Sequence, residues 1–153
     1  MRCLKAVAII GLLAGLGGPA PGHTAAAPTE PPLITATKAG DSARVARLLD
    51  AGARVDAIDA AWNTALIFAA WDGRAGIARR LLSAGASVDW QDAELVTPLI
   101  IASFKNRPVL VRLLLAAGAD PKIRDQWGRT ALDYALRRGK ADAIAAMIRA
   151  ARP

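Results

Sequence analysis

The chain has 153 residues, of which 54% are hydrophobic but only 5% are aromatic, and its formal net charge is +7. This length fits one domain with a modest core, and an apolar fraction dominated by Ala and Leu disfavours a β-sandwich and favours closely packed short helices. The positive charge leaves nucleic acid, an acidic protein and an anionic membrane surface open as partners.

The first 26 residues have the pattern of a secretory signal peptide. Arg2 and Lys5 precede an uncharged apolar run over 6–16, which is followed by Gly and Pro and then by small residues. The run is shorter than the roughly 20 residues that a membrane-spanning helix needs. We expect cleavage after Ala26, a Pro-rich spacer over 27–32, and a periplasmic or secreted protein without an integral membrane segment. An uncleaved membrane anchor is the less favoured alternative.

Cleavage would also remove Cys3 and His23, the single cysteine and the single histidine of the chain. The mature sequence then offers no zinc site of Cys and His and no Ser–His–Asp or Cys–His catalytic arrangement. Its formal charge would fall to about +5, because Arg2 and Lys5 leave and no acid leaves with them. We therefore expect no catalytic residue, no metal and no cofactor, and a protein that is not an enzyme.

The remainder of the chain repeats every 33 residues. The repeating positions are Gly52, Gly85 and Gly118; Asp59, Asp92 and Asp125; Leu66, Leu99 and Leu132; and Ala36, Ala69, Ala102 and Ala135. Within one period, the apolar segment 65–71, a turn at Gly73 and a second apolar face predict two short helices. A fixed period indicates stacked units that bury their faces against their neighbours.

These repeats resemble those of the ankyrin-repeat family. The resemblance is carried by "NTALIFAAWDGRAGIARRLLSAGASVD", "VTPLIIASFKNRPVLVRLLLAAGADPK" and "RTALDYALRRGKADAIAAMIRA". It implies an all-α ankyrin-repeat solenoid over 33–153, with four helix-turn-helix units and hairpin-like loops. The units would span about 33–58, 59–91, 92–124 and 125–153. The Ala- and Arg-rich composition suggests a bacterial, exported member.

Individual positions in the repeat give more local expectations. The threonines before the first helices, Thr64, Thr97 and Thr130, are expected to cap them. The paired leucines of the second helices, 48–49, 81–82 and 114–115, are expected to fill the core, and the repeated aspartates to form hydrogen bonds within the loops. Asn106 replaces a helix-ending glycine and is expected to tolerate a positive φ. Trp62 and Leu95 stand where the family usually has the glycine seen at Gly128, so we expect a different turn there, with Asn63 in the strained conformation.

The resemblance also implies where a partner would bind, namely the concave face made by the first helices and the loop tips. The candidate residues on this face are Trp62, Trp71, Asp72, Trp90, Leu95, Phe104, Lys105, Trp127, Arg137 and Arg138. Trp and Arg are enriched in binding hot spots. The alternative is that Trp71 and Phe104 fold over each other or over loops and only cover the surface.

We expect a monomer that binds and supports or regulates one periplasmic protein. One alternative is an immunity-like inhibitor that neutralises a toxin. Another is a protein held at an envelope surface by its last unit, where Arg129, Arg137, Arg138, Lys140, Arg149 and Arg152 are crowded, although a solvated capping repeat accounts equally for these charges. Nucleic acid is not an expected partner, because no recognised binding motif is present.

Overall fold

The computed structural model describes residues 30–139 and 142–151 of the chain. The predicted signal peptide and residues 27–29 of the predicted spacer lie outside these residues. The described residues form eight α-helices, which are α1 (Pro32–Ala39), α2 (Ser42–Asp50), α3 (Ala65–Asp72), α4 (Ala75–Ser83), α5 (Pro98–Phe104), α6 (Pro108–Ala116), α7 (Ala131–Leu136) and α8 (Ala143–Ala150). The all-α prediction is thus confirmed. Helix α1 already begins at Pro32, the last residue of the predicted spacer, because proline at the first helical position loses no hydrogen bond.

The helices stack in two rows. Helices α1, α3, α5 and α7 pack on one another in order, and α2, α4, α6 and α8 form the second row. Within each unit, the two helices also pack on each other. Ala69, Ala102 and Ala135 are fully buried in the first row, where a small side chain permits close approach of neighbouring helices.

The core lies between the two rows, and it uses the paired leucines unequally. Leu81 and Leu114 are completely buried, whereas Leu82 and Leu115 are only partly buried. Consecutive residues on an α-helix point about 100° apart, so the two members of a pair meet the core at different angles. Leu82 and Leu115 pack against the core while only partly buried, and in the first unit both Leu48 and Leu49 are partly buried against it.

The predicted features of the helix ends, a positive φ at Asn106 and threonine caps, are present except for the cap at Thr64. Asn106 has a φ of 56°, which confirms its equivalence to Gly40 and Gly73 at 73° and 78°. The Thr97 hydroxyl accepts a hydrogen bond from the backbone N–H of Ile100, and Thr130 forms a reciprocal capping box with Asp133. Thr64 makes no such cap, so the capping prediction holds for two of the three threonines.

Neighbouring hairpins are joined by hydrogen bonds that repeat along the stack. The backbone N–H of Ala93 donates to Ala61 O at 3.2 Å, and one unit later the N–H of Gln126 donates to Glu94 O at 3.0 Å. The Asp56 and Asp89 carboxylates accept from the backbone N–H groups of Ser87 and Asp120, each at 3.0 Å. These links hold the hairpin tips in a row along one edge of the stack.

Candidate protein-binding face

The three hairpin tips share one turn, and each is built on a repeated aspartate. In every turn the carboxylate Oδ1 accepts from the backbone N–H groups of the second and fourth residues that follow. The acceptor–donor sets are Asp59 with Ala61 and Asn63, Asp92 with Glu94 and Val96, and Asp125 with Trp127 and Arg129, all at 2.8–2.9 Å. The prediction that these aspartates form loop hydrogen bonds is confirmed.

The third residue after each aspartate has a left-handed backbone. Its φ is 65° at Trp62, 60° at Leu95 and 72° at Gly128. The expectation of a different turn with Asn63 in the strained conformation is therefore wrong. The aspartate fixes the path of the backbone, so the same turn forms whichever side chain occupies the third position. A bulky L-residue in this region costs about 1–2 kcal/mol relative to its preferred conformation.

A side-chain donor binds the carbonyl of each of these left-handed residues. Gln91 Nε2 donates to Leu95 O at 2.9 Å, and Arg124, one repeat later, donates to Gly128 O. In the first of the three hairpins the equivalent residue is Ile58, which has no donor. There the indole N–H of Trp90 donates to Trp62 O at 2.8 Å instead. Trp90 is partly buried, and its contact places it behind the tip as a support.

The strained turns carry large apolar side chains that point to solvent. Trp62 is 57% exposed, Leu95 is 47% exposed, and Trp127 in the third tip is 55% exposed. We call these three residues the tip row. Strained backbone conformations persist where the surrounding structure enforces them, and they cluster at functional sites. At Trp62 and Leu95 the tip row therefore combines an energetic cost to folding with apolar surface that the fold leaves unburied, and Trp127 adds exposed apolar surface beside the unstrained Gly128.

Replacing Leu95 with Gly is expected to leave the free energy of unfolding unchanged or to raise it by up to about 1 kcal/mol. Glycine removes the left-handed strain of about 1–2 kcal/mol but adds about 0.5–1 kcal/mol of backbone entropy cost. Urea denaturation followed by circular dichroism measures this change. Gly128→Ala is the matched control in the equivalent turn and should be destabilising. A loss of more than 1 kcal/mol in Leu95→Gly would show that the Leu95 side chain itself stabilises the fold.

A cleft lies beside the tip row, between α3, α5, α7 and the last two hairpins. Its volume is ≈ 300 Å³. The lining consists of Val96, Ile100 and Ile101; the aromatic residues Trp71, Phe104, Trp127 and Tyr134; and the charged residues Asp92, Glu94, Arg129 and Arg137. We call the surface formed by this cleft and the tip row the inner face. It brings together residues from three repeat units.

Trp71 and Phe104 each contact a neighbouring side chain and remain about half exposed. The Phe104 ring meets Tyr134 edge-on, with centroids 5.6 Å apart, and the Lys105 ammonium lies 3.6 Å from the centre of the Trp71 ring. Trp71 nevertheless remains 47% exposed and Phe104 50% exposed. Packing within the surface thus accounts for part of each ring and leaves the remainder available to a partner.

The charged residues predicted to bind a partner fall into two groups, those with ion pairs inside the fold and those that lie at the cleft. Arg138 donates to Ser103 O of the preceding unit at 2.7 Å and pairs with Asp142 at 2.8 Å, and Asp72 pairs with Arg74 at 3.2 Å. These contacts give Arg138 and Asp72 a role in holding the fold. Arg137 is exposed and lines the cleft, while Lys105 lies over Trp71 beside it. We keep only Arg137 and Lys105 as charged candidates for partner binding.

Sequence reasoning did not select Glu94, Arg129 and Tyr134, which also line the cleft. Tyr134 is equivalent to Phe68 and Ile101 in the repeat, and no role was predicted for it from the sequence. Its hydroxyl was the available signal, because a buried tyrosine needs a polar partner. That partner is Asp125, whose Oδ2 accepts from Tyr134 Oη at 2.6 Å.

Three carboxyl groups of the last unit have lowered pKa values. Burial tends to raise the pKa of Asp125, but hydrogen bonds from Tyr134 and from the Arg129 and Trp127 backbone, with the Arg129 charge, outweigh burial and lower it. The Thr130 backbone and side-chain hydrogen bonds lower the pKa of Asp133, and hydrogen bonding from Arg138 lowers that of Asp142. In contrast, burial raises the pKa of Asp89 in the second unit.

Acid is therefore expected to destabilise the last unit before the others. A carboxyl whose folded-state pKa lies below its ordinary value of 3.8 stabilises the fold above pH 3.8, and this contribution is lost as the pH falls through the folded pKa. The raised pKa of Asp89 acts in the opposite direction. Hydrogen exchange, corrected for intrinsic rates, should show protection of 131–139 and 142–151 that holds above pH 3.8 and falls below it. Uniform loss along the chain would contradict the expectation.

Stacked helix pairs with hairpin tips and an apolar inner face define a helical-repeat module of the kind that binds other proteins. Family models described as "Ankyrin repeat" and "Ankyrin repeats (many copies)" match residues 62–93 and 81–135, respectively. The chain belongs to the ankyrin-repeat family, whose repeats indicate protein–protein interaction and are generally non-enzymatic. A search of curated proteins finds no match to this chain.

Two features are absent from residues 30–139 and 142–151. No helix among them is both long enough and apolar enough to cross a bilayer. These residues also contain no group of three or more His, Cys, Asp or Glu side chains placed to hold a metal ion.

Proposed function

We propose that this protein is an exported binding module that supports or regulates a periplasmic protein through its inner face. The observation that carries the proposal is the exposure of five large apolar side chains on this face, namely Trp62, Trp71, Leu95, Phe104 and Trp127, each 47–57% exposed. Apolar patches of this kind on a monomer mark interaction sites. The proposed location rests on the signal-peptide pattern of residues 1–26.

The strained tips add to this argument because folding alone gives no reason for them. Glycine at the positions of Trp62 and Leu95 would form the same turn, as Gly128 does in the last hairpin. Large apolar residues at these two positions increase the apolar area that a partner can cover. Burying an aromatic side chain removes about 150–250 Å² from water, which makes such residues effective binding anchors.

Attachment to an envelope surface through the basic last unit has less support. Arg138 pairs with Asp142, and Arg129 stacks over Trp127 and Tyr134 while lying 3.5 Å from Asp125. These arginines therefore contribute to packing within the unit. Lys140 and Arg152 lie outside the described residues. The internal contacts favour a capping unit over a membrane-attachment surface.

The proposal is tested by expressing the full chain with a C-terminal affinity tag in its source organism and capturing cross-linked partners from the periplasmic fraction. The double variant Trp71→Ala/Phe104→Ala should lose the partner, since hot-spot truncations cost about 2 kcal/mol or more each. Val109→Ala is the matched control, because Val109 is a 61% exposed apolar residue on α6, outside the inner face. Circular dichroism first establishes that all variants fold.

Three outcomes decide between the alternatives. Capture by the wild type and Val109→Ala, but not by the double variant, supports binding at the inner face. Equal capture by all three proteins contradicts the inner face as the site. An exported chain that captures no resident protein contradicts the accessory role and favours the immunity-like inhibitor, whose target would come from another cell.

A further inference from the structure

We propose that the cleft of the inner face recognises an acidic peptide segment of the partner. An apolar side chain of this segment would enter the cleft, and an adjacent Asp or Glu carboxylate would bind Arg137 with help from Lys105. This inference rests on the proposed function, and it adds the chemical class of the segment that is bound.

The cleft has the size and surface of a site for an apolar side chain. It is lined by the buried side chains of Val96, Ile100, Ile101 and Tyr134 and by the half-exposed rings of Trp71, Phe104 and Trp127. A volume of ≈ 300 Å³ lies at the lower end of the range for ligand pockets. The space is too small for a whole domain surface and suits one or two side chains of a peptide.

The charges at the cleft are unequally neutralised. Asp92 Oδ1 already accepts two backbone hydrogen bonds, and Arg129 lies over two aromatic rings beside Asp125. The Lys105 ammonium lies over the rings of Trp71 and Phe104. In the part of the chain that the structure describes, Arg137 and Glu94 form no side-chain hydrogen bond or ion pair.

The unneutralised charges lie toward different ends of the inner face. Arg137 and Lys105 directly follow the last residues of the neighbouring helices α7 and α5, whereas Glu94 lies in a hairpin tip. Arg137 at the helix end of the cleft and Lys105 beside it therefore present two cations, and the hairpin end presents a carboxylate. A guanidinium group binds carboxylates through short, charge-assisted hydrogen bonds. This polarity favours a peptide whose acid lies at the helix end.

Selection from a phage-displayed library of random 12-residue peptides on the immobilised full chain tests the inference. Enriched peptides should combine an aromatic or branched aliphatic residue with a neighbouring Asp or Glu. For a synthetic copy of one such peptide, Arg137→Glu should raise Kd by about tenfold or more, with a smaller effect at high salt. Arg137→Gln should have an intermediate effect.

Arg112→Glu is the matched control, because Arg112 is an exposed residue of α6 that does not line the cleft and the change in net charge is the same. Its Kd should change less than about twofold. Peptides with basic or uncharged neighbours, equal effects of Arg137→Glu and Arg112→Glu, or no enriched peptide would each overturn the inference. If cross-linked capture still depends on Trp71 and Phe104, the proposed function stands and only the acidic class is rejected.

Discussion

Replacing Leu99 with Ala is expected to lower the free energy of unfolding by about 3–5 kcal/mol. Leu99 is completely buried in α5, which packs on α3 on one side and α7 on the other. The substitution removes apolar contacts and leaves a cavity that the fixed neighbouring units cannot close. Repeat proteins are stabilised largely by interfaces between adjacent units, so a cavity here weakens both interfaces of the third unit.

Urea denaturation followed by circular dichroism measures this loss. Leu132→Ala is the matched control, because Leu132 occupies the same repeat position in the last unit but is only partly buried. It should lose about 1 kcal/mol, in proportion to the smaller buried area. Equal losses in the two variants would contradict the argument that two-sided packing determines the cost.

Replacing Asp125 with Ala is expected to cost about 3–5 kcal/mol and to act on the last unit first. Asp125 is buried, and its carboxylate accepts from Tyr134 Oη at 2.6 Å and from the N–H groups of Trp127 and Arg129, each at 2.9 Å. Alanine leaves these donors without their acceptor and leaves the Arg129 charge without its partner. Because the unit lies at the end of the described stack, it can open while the others remain folded.

Hydrogen exchange distinguishes this local opening from global unfolding. Protection should fall over 131–139 and 142–151 and persist over 65–83. Asp92→Ala is the matched control, because Asp92 accepts the same two turn hydrogen bonds but has no tyrosine partner, and it should cost about 1–2 kcal/mol. A double-mutant cycle with Tyr134→Phe should give a coupling energy of about 1–3 kcal/mol. Zero coupling would show that the Asp125–Tyr134 hydrogen bond contributes nothing to stability.

The hairpins show which structural features a local sequence pattern can predict and which it cannot. Repetition of Asp59, Asp92 and Asp125 was sufficient to predict hydrogen bonds within the loops, because the partners lie within four residues. It was not sufficient to predict that Trp62 and Leu95 would adopt the glycine conformation. Side-chain preference disfavours that conformation, but two hydrogen bonds from each turn to one carboxylate outweigh the preference.

Side-chain contacts between units could not be predicted from the sequence, for a different reason. The sequence did not indicate that Arg138, a predicted partner-binding residue, bonds to Ser103 O, 35 residues earlier in the chain. Nor did it indicate that the indole N–H of Trp90, another predicted partner-binding residue, supports Trp62 from 28 residues away. Both contacts depend on the direction in which a side chain leaves its helix or loop, which a 33-residue alignment does not specify.

The amino-acid sequence alone determined the period, the two helices of each unit and the stacking of the units, because burial of periodic apolar faces requires only local spacing. Only the tertiary structure decided which aromatic rings remain half exposed, which arginines are neutralised and where the cleft lies. The cleft is lined by residues as far apart as Trp71 and Arg137, whose proximity results from the packing of three successive units. Local spacing fixes the helices, whereas the position and charge of a binding face depend on contacts between units.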